Sequence, residues 1–185
     1  MSAVPQFAFS HMGIFVTDID RMERFYTRHV GFTVTDRGEL DTPAGKASLV
    51  FLSSDPREHH QLVLASGRPA DVSFNTVNQM SFRTDTLQSL RNIHARLVAD
   101  PDAGGIQPMS HGLAMSVYFR DPEGNRIELF IDTPWYVDQP LRVPLDLSLS
   151  DEALWKWAED FARTRPGFRP LAEWQAEMSR RMGMS

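Results

Sequence analysis

The 185-residue sequence lacks cysteine, long basic runs and long hydrophobic stretches. The absence of cysteine excludes disulfides, thiolate catalysis and cysteine-based zinc or iron–sulfur sites. No window approaches about 18 apolar residues, and residues 1–9 lack the basic and apolar regions of a signal peptide, so we expect a cytoplasmic protein without a membrane partner. A net charge of −5 and the absence of a basic face argue against nucleic acid as a partner.

What the sequence does contain is a repeat. His11–Val16 opens the first half and Gln79–Thr84 opens the second, 68 positions later. The halves close on Gln61–Leu64 and Glu128–Ile131, 67 positions apart. Each half therefore brings polar side chains with metal-binding capacity to matching places, as a shared central site requires.

Hydrophobic periodicity predicts the same element order, βαβββ, in both halves. In the first half we expect a strand to Val16, a helix from residue 19 to 30, and strands near 32–36, 46–53 and 59–66, with a turn at 36–38 and a capping box at Thr17-x-x-Asp20. The second half predicts a strand at 77–84, a helix with Leu87, Leu90, Ile93 and Leu97 on its apolar face, and strands near 106–109, 113–120 and 126–131.

The predicted fold is therefore α+β: a first module at 7–66, a second at 77–132, and a cupped mixed sheet around a metal site. Residues 133–185 form a further segment, an extended arm followed by helices at 151–163 and 171–182, with Ser148 as a candidate cap. Its many large apolar residues predict docking, either on its own domain or on a neighbouring subunit. We expect a homo-oligomer.

Two polar residues lie in apolar segments predicted to be strands. A histidine such as His11 is expensive to bury unless it is hydrogen-bonded or used, and Glu128 needs a cation, an arginine such as Arg83 or Arg120, or a proton. A metal explains both residues together with Gln79. Imidazole, amide oxygen and carboxylate suit Fe(II), Mn(II), Ni(II) or Zn(II).

At this point the motifs can be matched to a known family. The segments SHMGIFV (10–16) and YFRDPEGNRIELF (118–130) closely resemble the vicinal oxygen chelate superfamily, and within it the small type I extradiol dioxygenases that cleave 2,3-dihydroxybiphenyl or catechol. The resemblance covers about residues 7–132. It implies an Fe(II) enzyme acting on a small aromatic diol and O₂.

The resemblance also implies roles for individual residues. His11 and Glu128 fall on metal-ligand positions, His60 on a histidine that acts as acid and base, and Tyr118 on a tyrosine that hydrogen-bonds the substrate. His111 resembles another histidine of the family, although it is about two residues closer to Tyr118 than the family pattern has it.

Gln79 is the departure from the dioxygenase pattern. Those enzymes have a second histidine ligand here, whereas glyoxalase-like members use glutamine or glutamate at these strand positions. Glutamine ligates through its neutral carbonyl oxygen and is a weaker donor than imidazole. Gln79 thus favours a second hypothesis, a metal-dependent isomerase or lyase, and a non-catalytic small-molecule binding protein is a third.

The His59-His60-Gln61 segment leaves its own alternatives. Strand alternation sends His60 to the face opposite His59 and Gln61. The internal repeat favours Gln61 as inward-facing, and the resemblance favours His60. We assign the chemistry to His60 and keep Gln61 as a possible fourth metal position.

Overall fold

The computed structural model describes residues 8–43 and 45–183. The chain divides between Asn75 and Thr76 into two compact units. Each unit contains one βαβββ module with its own mixed sheet, which confirms the α+β prediction. That the two sheets combine around one metal site stays a prediction.

In the first unit, β1 pairs in parallel with β4, and the remaining neighbours are antiparallel in the order β1-β4-β3-β2. Helix α1 continues into a π-helical segment that Gly31 ends in the left-handed conformation. The elements are β1 (Met12–Val16), α1 (Ile19–Phe25), the π-helical segment (Tyr26–Val30), β2 (Thr33–Thr42), β3 (Gly45–Ser53) and β4 (Leu62–Ser66).

The second unit repeats this plan in a sheet of order β10-β6-β7-β8-β5. Helix α2 buries the four predicted leucine and isoleucine side chains and contacts β6, β7 and β8. The elements of the module are β5 (Met80–Arg83), α2 (Leu87–Val98), β6 (Gly104–Ser110), β7 (Ala114–Arg120) and β8 (Arg126–Asp132). Because strand side chains alternate, the row of Ile127 and Leu129 faces this core and Glu128 faces the other side.

The C-terminal segment packs on the second unit, the first of the two alternatives. Strand β10 extends the sheet by pairing with β6, and Arg91 of α2 donates hydrogen bonds to the carbonyls of Leu147 and Leu149. Helix α3 buries its apolar face. The elements are β9 (Trp135–Tyr136), β10 (Val143–Pro144), α3 (Asp151–Arg163), β11 (Arg169–Pro170) and α4 (Leu171–Arg181).

Several local predictions were wrong. Residues 36–38 are not a turn, because β2 pairs with β3 as far as Thr42. The strand instead contains a β-bulge between Val34 and Asp36. The helix caps also differ by one or two positions. Asp18 accepts from the Arg21 amide at the start of α1, and Ser150 accepts from the Ala153 amide at the start of α3.

Among the described residues, no helix combines the length and the apolar character needed to cross a bilayer.

Candidate functional site

The carboxylate of Glu128 is the centre of a polar cluster in the second unit. The strand register places Glu128 beside Tyr118 of β7 and beside Ser81 of β5. Its Oε1 accepts from Ser116 Oγ at 2.7 Å, and its Oε2 accepts from Ser81 Oγ at 2.7 Å and Gln79 Nε2 at 3.1 Å. The side chain is only 10% exposed. A nearly buried carboxylate is thus surrounded by donors.

These donors decide the charge of Glu128. Burial raises the pKa of the carboxyl, but hydrogen bonds from His111, Tyr118, Ser81 and Ser116 outweigh burial and lower its pKa from 4.5 to about 2. Glu128 is therefore ionised at neutral pH. An ionised carboxylate is acceptor-only and suits a cation as a further partner.

His111 and Tyr118 form a hydrogen-bonded pair next to this carboxylate. His111 Nδ1 lies 2.6 Å from the carbonyl oxygen of Leu141, which has no proton to give, so Nδ1 carries the hydrogen. In the neutral ring, Nε2 then accepts from the Tyr118 hydroxyl at 2.9 Å. The same Nε2 is 3.5 Å from Glu128 Oε1, to which it donates when the ring is protonated.

The carboxylate shifts the pKa of both members of the pair. Hydrogen bonding to Glu128 is the main reason that the pKa of His111 is raised. Burial, followed by hydrogen bonding to Glu128, raises the pKa of Tyr118 to about 12. At neutral pH Tyr118 is thus a hydroxyl donor, and His111 holds a proton more readily than a free imidazole does.

The extended arm after β8 positions the turn that carries His111. Trp135 Nε1 donates to the carbonyl of Gly112 at 2.6 Å, and Gln139 Nε2 donates to the carbonyl of His111 at 2.8 Å. Together with the carbonyl of Leu141, these contacts hold both the backbone and the ring of the histidine. The shortened spacing before Tyr118 therefore still brings His111 into contact with Tyr118.

Gln79 precedes β5 and does not lie within a strand, because β5 begins at Met80 and not at residue 77 as predicted. Its amide nitrogen also donates to Ser81 Oγ at 3.0 Å, in addition to Glu128. To ligate a metal, the amide must turn about its terminal torsion and present the carbonyl oxygen. Gln79 is within reach of the carboxylate with which it was predicted to share an ion.

In the first unit, His11 and His60 lie together. Their ring centroids are 4.2 Å apart, and His60 Nδ1 is 2.8 Å from His59 Nδ1. His11 precedes β1 and is exposed, so the expectation of a histidine buried inside the strand was wrong. Residues 59–61 likewise precede β4, which makes strand alternation irrelevant to them.

Gln61 and His60 have different surroundings. Gln61 Oε1 accepts from both the amide and the hydroxyl of Ser54, which closes the loop before β4. Burial, and then electrostatic repulsion from the neighbouring imidazoles of His11 and His59, lower the pKa of His60. His60 thus adjoins His11 and holds a proton less readily than a free imidazole does.

Comparison with known proteins places the chain in a family. Residues 8–129 match the model of the Glyoxalase/Bleomycin resistance protein/Dioxygenase superfamily. The chain belongs to this superfamily. Its sequence is 26% identical over 174 residues to Biphenyl-2,3-diol 1,2-dioxygenase 2 of Rhodococcus globerulus, covering 83% of this chain and 84% of the relative.

One further relative and one solved structure are also similar to this chain. Biphenyl-2,3-diol 1,2-dioxygenase 3 of Rhodococcus globerulus is 28% identical over 137 residues, covering 71% of this chain and 66% of that relative. A glyoxylase/bleomycin resistance protein/dioxygenase domain from Frankia sp. EAN1pec has a similar fold, with a TM-score of 0.58, 21% identity, and coverage of 70% of this chain and 94% of that chain.

The residues of this superfamily member fit a divalent metal by their donor types. An ionised carboxylate at Glu128, an amide oxygen at Gln79 and an imidazole at His11 are ligands for first-row metals. Within residues 8–43 and 45–183, no group of three or more His, Asp or Glu side chains is arranged to hold an ion. The predicted set contains one histidine and one carboxylate, and its residues are divided between the two units. The sharing of one ion by these three residues therefore stays a prediction.

Sequence reasoning missed the two serines that hold Glu128. Ser116 is fully buried two positions before Tyr118, and Ser81 is two positions after Gln79. Residues two apart in a strand share a face, so the spacing of Ser116 and Tyr118 carried a signal. Ser81 reaches Glu128 through the pairing of β5 with β8, because Gln79 lies outside the strand. The carbonyl of Leu141 carried no such signal, because any residue provides a carbonyl.

Proposed function

We propose that this protein is an Fe(II)-dependent extradiol dioxygenase that opens the ring of a catechol-type aromatic diol. The observation that carries the proposal is the Glu128 cluster, in which an ionised carboxylate lies beside a Tyr118–His111 pair equipped to hold a proton. The similarity to two biphenyl-2,3-diol dioxygenases supports the same reaction class.

In this proposal, His11, Gln79 and Glu128 hold the metal. Bound Fe(II) would supply a centre that the two diol oxygens chelate and at which O₂ is activated. Glu128 contributes a negative charge that its hydrogen bonds keep at neutral pH, whereas Gln79 contributes only a neutral carbonyl oxygen. Mn(II), Ni(II) and Zn(II) suit the same donors.

The remaining residues move and hold protons. The lowered pKa of His60 favours its neutral form, which is suited to accept a proton from a diol hydroxyl and to return it later. The Tyr118 hydroxyl keeps its proton at neutral pH and can orient a substrate oxygen by donating to it in place of His111. His111, with its raised pKa, stabilises negative charge that develops nearby.

A second candidate is a glyoxalase-like isomerase or lyase, which Gln79 favours. Such an enzyme needs a base near the metal. The low pKa of Glu128 makes it a weak base, which leaves His60 for that role.

The test is metal analysis of protein purified without oxygen, followed by oxygen uptake with catechol and with 2,3-dihydroxybiphenyl. Stoichiometric iron, one O₂ consumed per diol and a yellow ring-opened product support the dioxygenase. Bound zinc or nickel without oxygen uptake would move the assignment to the isomerase, and metal-free protein that binds a small molecule would indicate a binding protein. Glu128→Gln is expected to lose metal, and Arg96→Gln on α2 serves as the surface control.

A further inference from the structure

A basic cavity lies next to Tyr118 in the second unit. Its volume is about 240 Å³, and its lining consists of Gly105, Gln107, Tyr118, Phe119, Arg120, Arg126 and Arg142. Three of these seven residues are arginines, and none is acidic. A cavity with this lining attracts a negatively charged group.

The arginines of this cavity have no carboxylate partner among the described residues. Arg120 donates to the carbonyl of Gly124 and Arg142 donates to Gln107 Oε1, each at 2.6 Å. Arg126 donates no hydrogen bond within the described part of the chain and instead lies over the Tyr118 ring, 4.4 Å from its centroid. Its guanidinium therefore keeps donors for a ligand.

The cavity and the Glu128 cluster share Tyr118. The ring and the hydroxyl of Tyr118 have different partners. Arg126 and Arg142 lie over the ring, and the hydroxyl contacts His111. In the strand register Arg126 is two residues from Glu128 on the same face, a distance of about 7 Å. One substituted benzene ring spans such a distance.

We infer that the substrate is an aromatic diol that bears a carboxylate, and that Arg126 and Arg142 bind this carboxylate while the diol lies at Tyr118 and Glu128. The inference rests on the proposed function and names its substrate class. A planar carboxylate matches the paired donors of a guanidinium. Arg142 belongs to the arm beyond the superfamily match, so the cavity is assembled from both parts of the chain.

The experiment measures binding by calorimetry, without oxygen so that the ligand is not consumed, to the protein as purified. The probes are 3,4-dihydroxybenzoate and catechol, which differ by one carboxylate. We expect the carboxylated diol to bind about tenfold more tightly, and Arg126→Gln or Arg142→Gln to lower the affinity for the carboxylated diol more than that for catechol, so that most of the preference is lost, because a charge-assisted hydrogen bond is removed.

Controls separate this result from unfolding and from general charge. Arg96→Gln removes one positive charge from α2 and is expected to leave both affinities unchanged, and the urea midpoint of each variant checks that it is folded. Arg126→Lys keeps the positive charge but not the paired N–H donors of the guanidinium, so it should retain part of the preference for the carboxylated diol. Equal affinities for the two probes in the unaltered protein, or tighter binding of inorganic phosphate than of the carboxylated diol, would overturn the inference.

The outcome also separates this inference from the proposed function. Oxygen uptake with catechol but no preference for the carboxylated diol leaves the dioxygenase standing and removes the carboxylate subsite. An arginine-dependent preference without oxygen uptake for any diol keeps the subsite and removes the dioxygenase.

Discussion

Removing the Ser116 hydroxyl tests the charged cluster around Glu128 directly. Ser116 is fully buried, and its Oγ donates to Glu128 Oε1 at 2.7 Å. Hydrogen bonds to charged groups contribute roughly 1.5–3 kcal/mol, so Ser116→Ala is expected to lower the free energy of unfolding at pH 7 by about 2 kcal/mol. For a chain of this size that corresponds to a decrease in Tm of about 4–8 °C.

The assay is urea unfolding in a chelating buffer, combined with a double-mutant cycle. With the neutral amide of Glu128→Gln in place, the Ser116 change should cost about 1 kcal/mol less, because the charge-assisted part of the bond is gone. Ser53→Ala is the matched control, since this buried hydroxyl donates to the neutral carbonyl of Asp55 at 3.0 Å.

Two results would refute the reasoning. One is a loss for Ser116→Ala no larger than the loss for Ser53→Ala. The other is additivity of the Ser116 and Glu128 changes to within about 0.5 kcal/mol, which is the behaviour of residues that do not interact.

Three further predictions follow from the same structure. Gln79→His should bind Fe(II) more tightly in a competition titration, because imidazole is a stronger donor than an amide oxygen, and an unchanged affinity would remove Gln79 from the ligand set. Gly112→Ala should lower the free energy of unfolding by more than Gly124→Ala does. Both residues have positive φ, but only at Gly112 would the new Cβ lie 2.5 Å from Val137 Cγ2. Equal losses in urea unfolding would contradict this packing. In the metal-free protein, the pKa of Glu128 is lower in the folded chain than in the unfolded chain, so protonation of Glu128 favours unfolding. The contribution of Glu128 to the free energy of unfolding is full above pH 4.5 and is lost as the pH falls toward 2. In Glu128→Gln, the free energy of unfolding measured with urea should therefore decrease less steeply with falling pH.

The strands and helices that carry the site followed from periodicity. The second-half pattern predicted β8 to within one residue, and α3 was predicted as observed. Glu128 was singled out as a carboxylate in an apolar strand, whereas Tyr118 was assigned from the family resemblance; the register of the β7–β8 hairpin places the two side by side. The long apolar segment of β8 thus gave the position of Glu128 correctly.

The ends of elements were less predictable, and both histidine assignments depended on ends. His11 and His60 each precede a strand, so neither the burial argument nor the alternation argument applied to them. The distance between their rings depends on the parallel pairing of β1 with β4, a contact between residues about 50 positions apart that periodicity does not report. The pairing of the two histidines is therefore a tertiary result.

The arm after β8 was the least predictable part of the site, because it acts through its backbone. Leu141 positions His111 with a carbonyl oxygen, and Trp135 reaches the carbonyl of Gly112, which are groups that every sequence has. Only docking of the arm on the second unit gives them a role. The arm lies outside residues 8–129, which match the superfamily.

This division suggests how the chain combines a shared chemistry with its own specificity. Glu128 and Tyr118 lie inside the superfamily match, as does the turn that carries His111, and these are the residues assigned to metal and protons. The arm sets the tautomer of that histidine and adds Arg142 over the Tyr118 ring. If the carboxylate subsite holds, replacing Arg142 should change which diol is bound while the hydrogen bond between His111 and Tyr118 stays in place, because Arg142 contacts the ring and not the hydroxyl of Tyr118. The pKa of His111 should rise further in this variant, because the positive charge of Arg142 lowers it. Specificity would then be altered from the arm with the hydrogen bond of the pair kept.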